Sequence, residues 1–119
     1  SYVPMTEGEM RVKEAEDLWP TGPEVLDTLE EAVQMAEAIA APPADRWAAR
    51  AISDQIIPRL YAARTYLEVG HLSSPEIRLG ISAAKLEAGH LADADPRYGP
   101  LYSKIRVLAE EADMVSRMS

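Results

Sequence analysis

The two histidines of this 119-residue chain, His71 and His90, are the side chains best suited to proton transfer or metal binding near neutral pH. The chain has no cysteine, which excludes thiolate nucleophiles and thiolate metal sites. Each histidine lies in a Gly-His-Leu sequence. If the two turns meet, His71, His90, Asp93 and Asp95 could bind a metal ion or act in acid–base catalysis. A histidine near a helix C-terminus is also favoured by the helix dipole, so we predict a structural role, with no metal and no cofactor.

Arg64 and His71 form the second candidate for chemistry, because they are separated by six residues. This spacing resembles the Arg-x(4–6)-His motif of the HEPN family, small helical bundles that often act as ribonucleases when they dimerise. The resemblance covers these two residues and the helical class. It implies that Arg64 would bind a phosphate and that His71 would act at the 2′-hydroxyl of RNA.

Charge is distributed unevenly, and this pattern suggests a protein partner. The formal net charge is −8, yet residues 46–106 hold nine basic and six acidic residues, whereas residues 1–45 hold eleven acidic and two basic ones. Nucleic-acid binding through the arginines of the third predicted helix is an alternative, but the net charge repels phosphate. A partner protein or a second copy fits better. The predicted contact residues are Glu30, Glu31 and Glu37 of the second predicted helix, or Arg46 and Arg50 of the third.

The elements that must position these side chains are all predicted to be helices. Apolar residues recur in steps of three and four, the period of a buried helical stripe, and no strand pattern occurs. Prolines and glycines separate the stripes. The predicted helices cover about 7–19, 21–41, 44–69 and 75–88, with a fifth that begins at 96 or 100 and runs to about 118.

Local signals at the helix ends are unusually clear. Thr21-Gly22-Pro23-Glu24 and Ser73-Ser74-Pro75-Glu76 both have the spacing of a capping box. Gly70 and Gly89 are predicted to close their helices in the left-handed conformation. Pro58 lies inside the third predicted helix and offers no N–H, so we expect a kink or a break near 54–58.

These patterns together predict one all-α domain, residues 1–119, built as an antiparallel bundle of four to five helices. Residues 1–20 are expected to be peripheral or exchanged with a second copy. No apolar run is long enough to span a membrane, which predicts a soluble, cytoplasmic protein, and the 19 alanines suggest a bacterial or phage source.

The predicted function is that of a small acidic interaction or regulatory module (an adaptor, a chaperone-like protein or a phage- or plasmid-type regulator) that acts by surface binding. The sequence favours a non-catalytic role over an enzyme and leaves both open. The alternative is a HEPN-like ribonuclease or a metal-dependent enzyme that uses His71 and His90. A homodimer is expected, because a bundle this small does not cover five wide apolar stripes.

Overall fold

A computed structural model describes residues 20–118 of the protein. The helix predicted over 7–19, with its peripheral or exchanged placement, lies outside the described residues. The described part is all-helical and contains no strand, which confirms the predicted all-α class. Its elements are α1 (Gly22–Ala40), α2 (Arg46–Ala51), a π-helical turn (Ile52–Ile56), α3 (Ile57–Glu68), α4 (Pro75–Ala94), a 3₁₀ turn (Pro96–Tyr98) and α5 (Gly99–Met118).

Four helical units pack together: α1, α4, α5 and one long helix. In the long helix, α2, the π-helical turn and α3 follow one another without a break. Side-chain contacts show how α1 and α5 run. Thr28 of α1 contacts Glu111, while Glu31, further along α1, contacts Lys104, which comes earlier in α5. Residues later in one helix thus meet residues earlier in the other, so the two helices are antiparallel.

The core consists of aliphatic side chains contributed by every helix, together with Tyr98 of the 3₁₀ turn. No polar or charged residue among those described is buried, so burial of apolar surface accounts for the packing. The largest fully buried side chains are Val25, Leu29, Ile52, Ile56, Leu60, Ile77, Ile81, Leu101, Ile105 and Leu108. None of the described helices has both the length and the hydropathy that a membrane span requires.

The predicted capping box at the start of α1 is confirmed. The Glu24 amide donates to the Thr21 hydroxyl at 3.3 Å, and the Glu24 carboxylate accepts from the Thr21 amide at 3.4 Å. The box predicted at Ser73–Glu76 is wrong. Helix α4 begins at Pro75, as predicted, but its N-cap is Ser74, and the Ser74 hydroxyl contacts the Glu76 carboxylate instead of a backbone amide. This hydrogen bond lowers the pKa of Glu76.

The two Gly-His-Leu sequences adopt different structures. Gly70 has φ of +79° and follows the end of α3, as predicted. The prediction that Gly89 ends a helix is wrong, because α4 continues through it to Ala94. Ala88 and Leu91 on either side of Gly89 are both buried, so packing of this face keeps the chain helical. Helix α4 ends where a proline follows Asp95, since residues before proline avoid the helical region.

A π-helical turn directly precedes the helix that contains Pro58, in the region where the sequence predicts a kink or a break. The Ile57 amide donates to the Ile52 carbonyl, five residues back, and Pro58 follows at the start of α3. A π-helical turn carries an extra residue within a helix, and such turns are frequent at functional sites. The angle of any kink at Pro58 stays a prediction.

Candidate protein interaction surface

The outward side of α2 and the π-helical turn forms a shallow depression, which we call the Trp47 surface. Ala48, Ile52 and Ile56 face the core and are fully buried, whereas the exposed residues of this stretch include Arg46, Trp47, Arg50, Asp54 and Gln55. Trp47 is the largest of these and is 50% exposed. The residues that line the Trp47 surface are Asp45, Arg46, Trp47, Arg50, Ala51, Asp54 and Gln55.

Trp47 is held in place from one side. Its ring packs edge-to-face on the buried ring of Tyr98, with centroids 5.9 Å apart and an interplanar angle of 77°. The Arg97 guanidinium lies 5.7 Å from the same Tyr98 ring and pairs with Asp45 and Asp95. Its hydrogen bonds lower the pKa of Asp95. These contacts hold the exposed indole in one position, which reduces the conformational entropy that Trp47 loses when it contacts a partner.

Two arginines flank the indole. Arg50 has a side chain that is 84% exposed, and its Nε lies 3.7 Å from an Asp54 carboxylate oxygen. Such an exposed pair within one helix contributes only a few tenths of a kcal/mol, so it is readily exchanged. Arg46 is exposed and has no charged partner within residues 20–118. Both predicted basic contact residues thus offer their charge to solvent.

The acidic residues predicted as partner contacts have a different position. All three bind side chains of neighbouring helices. The pairs are Glu30 with Arg64 at 3.2 Å, Glu31 with Lys104 at 2.7 Å, and Glu37 with the Tyr61 hydroxyl at 2.7 Å. The hydrogen bond to Glu37 raises the pKa of Tyr61. The acidic side of α1 is therefore engaged by its own chain.

Arg64, the first residue of the HEPN-like pair, is surrounded by intramolecular partners. Its guanidinium pairs with Glu30 and with Glu68, at 3.7 Å, and lies 4.3 Å from the centroid of the Tyr61 ring. A phosphate would have to displace two carboxylates. His71 is exposed and follows the end of α3, where its amide donates to the Tyr66 carbonyl.

The structure does not bring His71 and His90 together. A turn joins the His71 carbonyl to the Ser74 amide, so His71 lies at the start of α4. His90 is 15 residues after Pro75 in that helix, or about 22 Å along its axis. His90 and Asp93 share one surface depression, while Arg97 binds Asp95. Among residues 20–118, no group of three or more His, Asp or Glu side chains is placed to hold a metal ion.

The sequence offers only a weak signal for the importance of Trp47. Helical periodicity places it beside Ala48, at the margin of the apolar side, where a tryptophan is most simply a core-edge residue. Its contact with Tyr98, more than 50 residues away along the chain, depends on the tertiary fold. The flanking pair Arg46 and Arg50, four residues apart, is the part of this surface that the sequence predicts.

Comparisons with protein-family models, with curated proteins and with solved structures found no match to this chain. The function is therefore argued from the geometry of the described residues.

Proposed function

We propose that this protein is a small interaction module that binds an acidic surface of a partner protein through the Trp47 surface, and so regulates or escorts that partner. The observation that carries the proposal is the half-exposed Trp47, supported by Tyr98 and flanked by Arg46 and Arg50. Tryptophan and arginine are the residues most enriched at the energetic centres of protein interfaces.

The charge on this surface supports an acidic partner. Arg46 has no charged partner in the described part of the chain, and the Arg50–Asp54 pair is long and exposed. Binding would bring carboxylates to both guanidinium groups while an apolar side chain of the partner covers the indole. Electrostatic attraction would mainly speed association, and burial of Trp47 would mainly slow dissociation.

The acidic side of α1 is a weaker candidate for the contact surface. Glu30, Glu31 and Glu37 would each have to leave a neighbouring helix before binding a partner. A nucleic-acid partner is a weaker candidate, because binding its phosphates requires many cationic contacts, whereas the chain has a net charge of −8 and this surface has two arginines. The ribonuclease alternative gains no support from Arg64, whose guanidinium already binds Glu30 and Glu68.

The experiment is affinity capture from the native host with the wild-type chain and with three variants, Trp47→Ala, Arg46→Glu/Arg50→Glu and Arg106→Glu. Arg106 is an exposed arginine of α5 outside the Trp47 surface, and it serves as the matched control. We expect one protein to be retained by the wild type and by Arg106→Glu but lost with the other two. Its affinity, measured by calorimetry, should fall about tenfold or more in both.

A result that would sink the proposal is equal capture by all four proteins. Thermal unfolding of the variants separates this outcome from misfolding, because Trp47, Arg46 and Arg50 are exposed and their substitution should leave the midpoint within a few degrees of the wild type. Light scattering of the purified chain tests the predicted homodimer, which makes a second copy one of the possible partners.

A further inference from the structure

We propose that the groove between α4 and α5 is a second binding site, and that it takes an acidic amphipathic helix from a partner protein. We call it the α4–α5 groove. Two adjoining depressions that share Ser82 and Lys85 form it. The residues that carry the argument are Arg78, Leu79, Ser82, Lys85 and Leu86 of α4, with Glu110 of α5. The inference is independent of the Trp47 surface.

Two leucines of α4 are exposed and do not contribute to the hydrophobic core. Leu79 is 69% exposed and Leu86 is 60% exposed, while Ile77, Ile81 and Ala84 on the inward side of the same helix are almost completely buried. Leu79 and Leu86 are seven residues apart, which places them on one face, two turns from each other. An amphipathic helix that docks in a groove presents apolar anchors at the matching spacing.

The charges beside these leucines are unbalanced. Arg78 and Lys85 both line the groove, and neither has a carboxylate partner in the described part of the chain. Several other cations do have such partners within residues 20–118. They are Arg50, Arg64, Arg97, Lys104 and Arg117. Carboxylates on the docking helix would supply the missing charges along the α4 wall.

The α5 wall of the groove carries acidic residues, opposite to the basic residues of the α4 wall. Glu110 of α5 is exposed there, and the neighbouring Asp113 is already paired with Arg117 at 2.9 Å. A fitting helix therefore carries acidic residues on the flank that faces Arg78 and Lys85, and a neutral or basic residue on the flank that faces Glu110. The lining residues of the two depressions follow α4 from Pro75 to Asp93, about 27 Å or five helical turns, and a fitting helix also carries a neutral or basic residue opposite Asp93.

A second copy of this chain fits the groove less well. If two α4 helices packed antiparallel about a two-fold axis, with Leu79 of one against Leu86 of the other, the same flank of each helix would lie together. Arg78 would then come close to Lys85 of the second copy, and like charges at that distance repel. Charge complementarity thus favours a different, acidic chain.

The test uses two synthetic helical peptides of 18 residues, about 27 Å long. Both carry leucines at the spacing of Leu79 and Leu86, but one has glutamates on one flank and the other has lysines there. The isotope-labelled full chain is titrated with each peptide and followed by NMR. We expect only the glutamate peptide to shift the amide signals of Leu79, Ser82 and Leu86.

Variants of the groove should change this binding in opposite ways. Arg78→Glu/Lys85→Glu should weaken the glutamate peptide about tenfold or more and make the lysine peptide the better ligand. Leu79→Ser/Leu86→Ser should abolish binding of the glutamate peptide. The control Arg46→Glu, on the Trp47 surface, should change neither, so that failure of one proposed site does not imply failure of the other.

Three outcomes overturn the inference. One is that neither peptide shifts these signals at millimolar concentration. Another is a concentration-dependent rise in mass that Leu79→Ser/Leu86→Ser removes, which would make a second copy the occupant. The third outcome is measured with a spin label attached to the cysteine of Ser82→Cys. The label has a unique site because the chain has no cysteine of its own. Broadening of the signals of residues 1–19 of the same molecule would make that segment the occupant.

Discussion

The guanidinium of Arg64 on α3 lies 3.2 Å from the carboxylate of Glu30 on α1 and joins the two helices at a half-buried position. The same guanidinium lies over the ring of Tyr61, whose hydroxyl donates to Glu37 of α1. Acidic residues that look like an external contact surface in the sequence thus serve to align α1 with α3.

Charge reversal at Glu30 should therefore destabilise the fold. We expect Glu30→Lys to lower the free energy of unfolding by about 1 kcal/mol, because it removes a half-buried ion pair and places a second cation beside Arg64. Asp27→Lys is the matched control, since Asp27 is exposed on the same helix and has no ion-pair partner among the described residues. Urea denaturation measures both, and equal losses would show that the Glu30–Arg64 pair contributes nothing.

The two glycines that precede the histidines should respond oppositely to alanine. Gly70 has φ of +79°, so Gly70→Ala should cost about 1 kcal/mol. Gly89 lies within α4, and a Cβ there would meet only the Tyr102 ring, at an ordinary 3.6 Å. Gly89→Ala should stabilise by about 0.5–1 kcal/mol, because alanine is the better helix former. Thermal unfolding compares the two, and a loss at both positions would contradict the continuous α4.

The helix caps provide a second matched pair. Thr21→Ala should cost about 0.5–1 kcal/mol, because the hydroxyl of Thr21 accepts from the Glu24 amide. Ser74→Ala should have a smaller effect, since the Ser74 side chain makes no cap hydrogen bond to the backbone. Chemical denaturation of both variants measures the difference, and a larger loss for Ser74→Ala would reverse our assignment of the caps.

Glu111 should make stability depend on pH. Desolvation raises the pKa of this residue, partly opposed by its hydrogen bond from Thr28. The folded state therefore binds the proton more tightly than the unfolded state, and this favourable contribution is present at acidic pH and lost as the pH rises through the folded-state pKa.

Glu111→Gln should remove this dependence. We expect the variant to gain a few tenths of a kcal/mol over the wild type near pH 7, and to lose that advantage below the usual pKa of glutamate, about 4.3. Thermal midpoints across this range give the measurement, with Glu110→Gln, an exposed neighbour, as the control. A variant that is less stable than the wild type only at neutral pH would show that the charged carboxylate is favourable.

Local sequence signals predicted the helices well where they act through neighbouring residues. The Thr21–Glu24 cap and the left-handed Gly70 depend on chemistry within four residues. The same reasoning wrongly predicts that Gly89 ends its helix, because buried Ala88 and Leu91 keep α4 helical through this position. A local motif is therefore overruled where continued helix buries more apolar surface.

The candidate sites were harder to predict, because they depend on how the helices are rotated against one another. The sequence identifies Arg46 and Arg50 as a basic pair, yet the support of Trp47 by Tyr98 requires the tertiary fold. The buried residues Ala48, Ile52, Ile56 and Leu60 do carry one readable signal. Each of these residues follows the one before it by four positions, which makes twelve residues over three turns. Three turns of an α-helix need only about 11 residues, and the extra residue indicates the π-helical turn.

The π-helical turn also fixes the direction in which Trp47 faces. It holds one residue more than an α-helix needs over the same length, and each residue of an α-helix turns the chain by about 100°. Loss of one residue from Ile52–Ile56 would rotate α2 by that angle, carrying Ala48 out of the core and Arg46, Trp47 and Arg50 to a new side. A single codon deleted from this turn in evolution would thus redirect Arg46, Trp47 and Arg50 without substituting any of the three.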